Sequence, residues 1–158
     1  MSLLVTLLLQ AGIALPQPVP INFTQASDQW PVVVSASGTV AVDKSTLIID
    51  LQDLRVTDQP SNPSSMQYST YRVCLAYKPA VNSWDKSTCS TPVKTRTKVE
   101  DGQSVSLPPR ELEISIKDHP PIDDFWLVLE MISTPVRGKT YSVYAHSDRS
   151  VLKGLSAR

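Results

Sequence analysis

Between Tyr68 and Val99 the chain reads YSTYRVCLAYKPAVNSWDKSTCSTPVKTRTKV, and this stretch holds both cysteines of the protein. Tyr71, Val73, Leu75 and Tyr77 alternate with Arg72, Cys74 and Ala76, the period-two pattern of a half-buried strand. Pro79 to Lys86 interrupts it with Pro, Asn, Ser and Asp, and a second β-prone run rich in Ser and Thr returns past Cys89. The pattern predicts a hairpin stapled by Cys74 and Cys89. With the two cysteines opposed, antiparallel register also sets Ala76 against Ser87 and Arg72 against Thr91, and places the bridge on the face away from Tyr71, Val73 and Leu75. Closing a loop of this length stabilises by about 3 kcal/mol in the chain-entropy description.

The rest of the chain repeats the theme of short runs and frequent breaks. Val32 to Ala36 reads as a strand, Ser37-Gly38 as a turn, and Asp43-Lys44-Ser45 as another turn. From Thr46 to Val56 the apolar positions are Leu47, Ile49 and Leu51, then shift phase to Leu54 and Val56, as a β-bulge requires. Asp101-Gly102 is a tight-turn pair, and Ser104 to Leu107 stops at Pro108-Pro109. Glu111 to Lys117 alternates with Leu112, Ile114 and Ile116 inward. Phe125 to Ile132 is apolar on both parities except Glu130, the mark of the most buried strand, with Trp126 as core filler. Pro135 to Gly138 turns the chain, Tyr141, Val143 and Ala145 alternate, and Val151 to Leu155 suits one helical turn.

These runs, together with thirteen prolines, predict an all-β fold. The expectation is an antiparallel β-sandwich of seven or eight strands, immunoglobulin-like or jelly-roll-like. With 158 residues, 41% of them hydrophobic, the chain is long and apolar enough for one cored domain. Residues 1–14 are apolar and end in small residues, as a signal peptide or a docking arm does. Residues 15–29, with Pro16, Pro18 and Pro20, read as a stiff linker; residues 30–147 form the sandwich and 148–158 a basic tail. Asn22-Phe23-Thr24 is a glycosylation sequon, meaningful in a eukaryotic secretory pathway. The first segment is too short for a stable membrane span. A leader and a cysteine pair together predict a secreted or periplasmic location.

Zero formal net charge argues against nucleic acid as a partner. Lys94, Arg96 and Lys98 alternate with threonines, so three cations share one strand face; such a row either guards a sheet edge or meets an acidic surface. Trp84 and Lys86 lie at the hairpin tip, where an indole beside cations suits a protein or glycan surface. Trp84, Lys86, Lys94, Arg96 and Lys98 are therefore the candidate binding residues. Asp118-His119, Asp123-Asp124 and His146-Ser147-Asp148 set both histidines beside carboxylates, but Asp-rich loops are ordinary turn chemistry. No HExxH, P-loop, dinucleotide fingerprint or nucleophile elbow occurs, so no catalytic residue, metal or cofactor is assigned. The sequence thus predicts an exported, non-enzymatic binding module. The rival reading is a structural subunit of a virion, filament or other homo-oligomeric assembly joined through its N-terminal arm; a small metal-dependent or hydrolytic enzyme stands third.

Overall fold

The computed structural model describes residues 17–25, 32–58, 66–77, 84–100, 102–117, 122–148 and 150–156. They form two antiparallel sheets packed into a sandwich. Sheet A runs β1 (Val19–Phe23), β2 (Val32–Asp43), β3 (Thr46–Asp58), then a fourth row made of β7 (Ser104–Leu107) and β8 (Arg110–Ser115). Sheet B runs β10 (Ser142–His146), β9 (Trp126–Ser133), β4 (Met66–Ala76), then β5 (Trp84–Cys89) and β6 (Val93–Val99). Ten segments thus occupy eight rows. Pro108-Pro109 divides one outer row and Thr91-Pro92 the other, because proline brings no N–H to a ladder.

The phase shift in β3 is a bulge. Ser37 pairs with Asp53 and Gly38 with Leu51, so Gln52 is the extra residue. Leu47, Ile49, Leu51, Leu54 and Val56 consequently all reach the core. Gly38 is not a turn, as expected from sequence, but lies within the continuous β2. A Cβ there would sit 1.9 Å from the Asp50 carbonyl oxygen, so the bulged strand can approach only a residue without a side chain. The turn comes at Lys44-Ser45, between paired Asp43 and Thr46, with Lys44 at φ 56°.

In sheet B, β9 lies between β10 and β4, and its two parities have different tasks. Leu127, Leu129 and Met131 point inward with Leu75, Val73 and Tyr71 as register partners, all of them buried in the core between the sheets. Val128 and Glu130 face outward, paired with Cys74 and Arg72, and are buried as well. The single charge in β9 is explained there: Arg72 Nε donates to Glu130 Oε2 at 2.8 Å, with side chains 15% and 8% exposed. Leu112, Ile114, Phe125 and Val143 are also core residues. Two aromatic positions differ from their alternation: Tyr77 follows the end of β4 and is exposed with its ring 4.5 Å from that of Phe125, and Tyr141 precedes β10 and is exposed.

At the β1 flank the sheets are stitched together. Thr24 N–H donates to His146 O and His146 N–H to Thr24 O, both at 3.0 Å. Part of the stretch expected as linker is therefore β1, since extended proline geometry also fits a strand at a sheet edge; Pro20 pairs opposite Thr39. Beyond β1, the Gln25 amide takes over the role of a paired backbone. Val34 N–H donates to Gln25 Oε1 at 2.7 Å, and Gln25 Nε2 donates to Val32 O at 3.2 Å. A short helix, α1 (Ser150–Ser156), follows β10 and buries Leu152 and Leu155. Within the core, Tyr68 is 1% exposed and its hydroxyl has no hydrogen-bond partner among the described residues. Burial, and then the Asp58 charge, hold that phenol well above its usual range.

Candidate functional site

The hairpin predicted from the cysteines is formed by β4 and β5. Cys74 and Cys89 are register partners with Cα atoms 4.0 Å apart and are joined by a disulfide. The bridge lies on the outer face of sheet B, opposite in parity to Tyr71, Val73 and Leu75, as alternation requires. The expected register fails toward the tip, where Ala76 pairs with Trp84 rather than Ser87. Two steps along β4 match five along β5, so a wide irregularity follows the bridge. Nor does Thr91 pair with Arg72: Ser90 N–H donates to Val73 O at 2.8 Å and Ser90 Oγ accepts from Val73 N–H at 3.0 Å. The chain then breaks at Pro92 and re-enters the ladder with Val93 opposite Tyr71.

Trp84 and Lys86 are thus strand residues of β5 in backbone terms, not tip-loop residues. Their side chains, and the tip at 78–83, lie outside the described residues. Lys94, Arg96 and Lys98 are exposed on β6, while Thr97 and Val99 between and beyond them are buried. Lys94 pairs opposite Thr70 and Lys98 opposite Gln67, so the cations stand on the outward side of the ladder. Lys98 reaches Glu100 at 3.3 Å. Among the described residues Lys94 and Arg96 make no ion pair. In the described structure β6 pairs with β4 alone, which places the basic row at a sheet edge.

A second site was not foreseen from sequence. At the β10–β9 side of sheet B, Pro20, Asn22, Thr24, Trp126, His146, Ser147, Asp148 and Val151 surround an open cleft of about 510 Å³. Trp126 is not core filler. It begins β9 on the outward parity, is half-buried, and meets the His146 ring edge-on with centroids 5.3 Å apart. Asn22 and Thr24 alternate with buried Ile21 and Phe23, so the two polar residues of the sequon face outward. The signal available in the sequence was this alternation, hidden beneath the prolines.

The histidine–carboxylate groups lie only in part within the described residues. Asp118 and His119 lie outside the described residues, as does the Asp124 side chain. Among the described residues no group of three or more His, Cys, Asp or Glu side chains is placed to hold a metal ion. Ser147 is tied to the backbone: its Oγ accepts from Leu127 N–H and donates to Asp148 O, both at 3.2 Å. Asp148 Oδ1 accepts from Ser150 N–H and Oγ–H, both at 2.9 Å, and these bonds hold its carboxyl below the usual range. The His146 Nδ1 lies 3.0 Å from Ser147 O; a carbonyl only accepts, so that nitrogen carries the proton in this contact.

No helix among the described residues is long and apolar enough to cross a membrane. The disulfide is compatible with an oxidising compartment such as the periplasm or the extracellular space. No family model, curated protein or solved structure matches the chain.

Proposed function

We propose that the chain is an exported, non-enzymatic binding module that meets an acidic protein or glycan surface through the exposed basic edge of sheet B. The observation that carries this reading is the row Lys94, Arg96 and Lys98, exposed on an edge strand, with Lys94 and Arg96 lacking any ion pair among the described residues. A cation guarding an edge serves equally well when neutralised by a neighbour; unneutralised cations in register offer an acidic partner a matching charge. The three cations alternate with Thr95 and Thr97 along β6, whose pairing with β4 shifts register between Lys94 and Thr97, and an extended sulfated or carboxylated chain can run along such a row. The disulfide supports the reading by fixing β5, the strand that leads into β6 and carries Trp84 and Lys86.

Binding to a heparin fragment and to polyglutamate tests this directly. Lys94→Ala/Arg96→Ala/Lys98→Ala is expected to weaken binding at least tenfold at low salt and to flatten its salt dependence, since screening acts on exposed charges. Trp84→Ala is expected to lower affinity with little change in melting temperature. Equal affinity of wild type and triple variant for both probes at every salt concentration contradicts the proposal.

One observation favours the rival reading of an assembly subunit. Sheet A carries carboxylates on its outer row: Glu111 and Glu113 are exposed on β8, beside an exposed Arg110, and Asp50 pairs directly opposite Glu111. Like charges directly opposed destabilise a sheet, and the basic row of a second copy would relieve them. Sedimentation at low and high salt separates the readings: a salt-sensitive oligomer lost in Glu111→Lys/Glu113→Lys supports assembly, and a monomer throughout supports the module.

A further inference from the structure

We infer that the cleft beside the Thr24–His146 bridge is a binding site for a neutral pyranose saccharide, separate from the basic edge. The cleft, at the β10–β9 side of sheet B, and β6 are separated by β4. At about 510 Å³ it falls within the range of small-molecule sites and offers their usual mixture of one apolar wall and a few convergent polar groups.

The wall is Trp126. Among the outward residues of β9, Val128 and Glu130 are buried while Trp126 stays partly open and lines the cleft. The edge-on His146 ring, 5.3 Å away, holds the indole in one orientation. A pyranose has the matching shape: C–H groups on its flat face pack against an aromatic ring, and hydroxyls around its rim require both donors and acceptors.

Those partners are present on the remaining walls. The Asn22 amide offers two donors and an acceptor, and the Thr24 hydroxyl offers both roles. His146 spends Nδ1 on the Ser147 carbonyl, which leaves Nε2 as an acceptor in the neutral ring. Asp148 spends Oδ1 on Ser150 and retains Oδ2. A carboxylate in this position disfavours an anionic sugar, which is why the ligand class is neutral and unlike that of β6.

The site is also preorganised. Asn22 sits on β1 paired opposite Ser37, and Thr24 and His146 are locked by two reciprocal backbone bonds. Groups fixed on paired strands lose little further freedom on binding.

The test uses the chain produced without N-glycosylation, because Asn22 is also the acceptor of a sequon. Saturation-transfer NMR with cellobiose, maltose, mannobiose and N,N′-diacetylchitobiose is expected to show at least one binder, of about millimolar affinity or tighter. Trp126→Phe and Asn22→Ala should each weaken it about fivefold or more. Binding should not change between low and high salt, nor in Lys94→Ala/Arg96→Ala/Lys98→Ala. Asn22→Ala alters an exposed side chain, so it reports on the site even if a change at Trp126 disturbs folding. The inference is overturned if no saccharide in the panel binds, or if the binder is retained undiminished in folded Asn22→Ala and Trp126→Phe. Loss of binding in the triple variant instead would place the sugar on β6 and likewise overturn it.

Discussion

The outward faces of the two sheets are built on different rules. On sheet A the outward residues of β8 are Glu111, Glu113 and Ser115, all exposed, and the strand follows simple alternation. On sheet B the outward residues of β4 and β9 include Cys74, Ala76, Val128 and Glu130, all buried, although they lie outside the cluster between the sheets. Here a disulfide, an ion pair and the Trp126–His146 contact do the work that water does on sheet A. A buried outward face needs its own internal satisfaction, because a lone buried charge is far more expensive than a paired one. The groups proposed to meet partners, Lys94, Arg96 and Lys98 on β6 and Trp126 at the start of β9, border this buried face.

The sharpest break in this comparison is expected at the ion pair. Arg72→Ala or Glu130→Ala, each stranding its partner in a largely buried position, should destabilise by about 3–5 kcal/mol. Glu113→Ala on sheet A should stay within about 0.5 kcal/mol of wild type. Chemical denaturation measures both, and equal effects would mean that the faces do not differ in kind. Arg72→Met/Glu130→Leu should recover most of the loss, since replacing both charges by apolar groups is often nearly neutral.

Next in size is the bridge. Cys74→Ser/Cys89→Ser should lose about 3 kcal/mol, the loop-closure contribution for the 15-residue separation. Hydrogen exchange should rise first in β5 and last in β2 and β3, the central strands of sheet A.

The smallest effect lies in the core. Tyr68→Phe removes a buried hydroxyl that has no partner among the described residues, so it should be neutral or stabilising by up to about 1 kcal/mol. The same substitution should reduce the sensitivity to alkali. The folded phenol holds its proton above the ordinary value of 10.0, so the unfolded chain releases it first. The stability linked to Tyr68 is therefore complete below pH 10.0 and is lost as pH rises from there through the folded value. Melting temperatures followed through that window should fall less steeply in Tyr68→Phe.

Strand positions and core residues were legible wherever one period ran unbroken, whereas the order of strands within the sheets was not. Leu112 and Ile114, Val143 and Ala145, and the phase shift from Leu51 to Leu54 each carried their burial in their spacing. The disulfide was legible because one strand pair brings its two members opposite each other. Reading failed where tertiary pairing overrode a local signal. Ser37-Gly38 has turn composition, but the bulge at Gln52 demands a residue without a side chain there. Pro20 suggested a linker, yet an edge strand accepts a missing N–H. Trp126 stood at the start of an apolar run and was assigned to its interior, whereas its parity belongs to the outward face. The cleft draws on β1, β9, β10 and the residues leading into α1, so no local window contains it.

The most direct test of a recognition face on sheet B is to follow backbone amide shifts while titrating a heparin fragment at low salt. Perturbations should concentrate on Val93 to Val99 and on their pairing partners Met66 to Tyr71 in β4, and should vanish as salt is raised. Perturbations centred on β3 and β8 of sheet A, or none at saturating probe, would contradict the account.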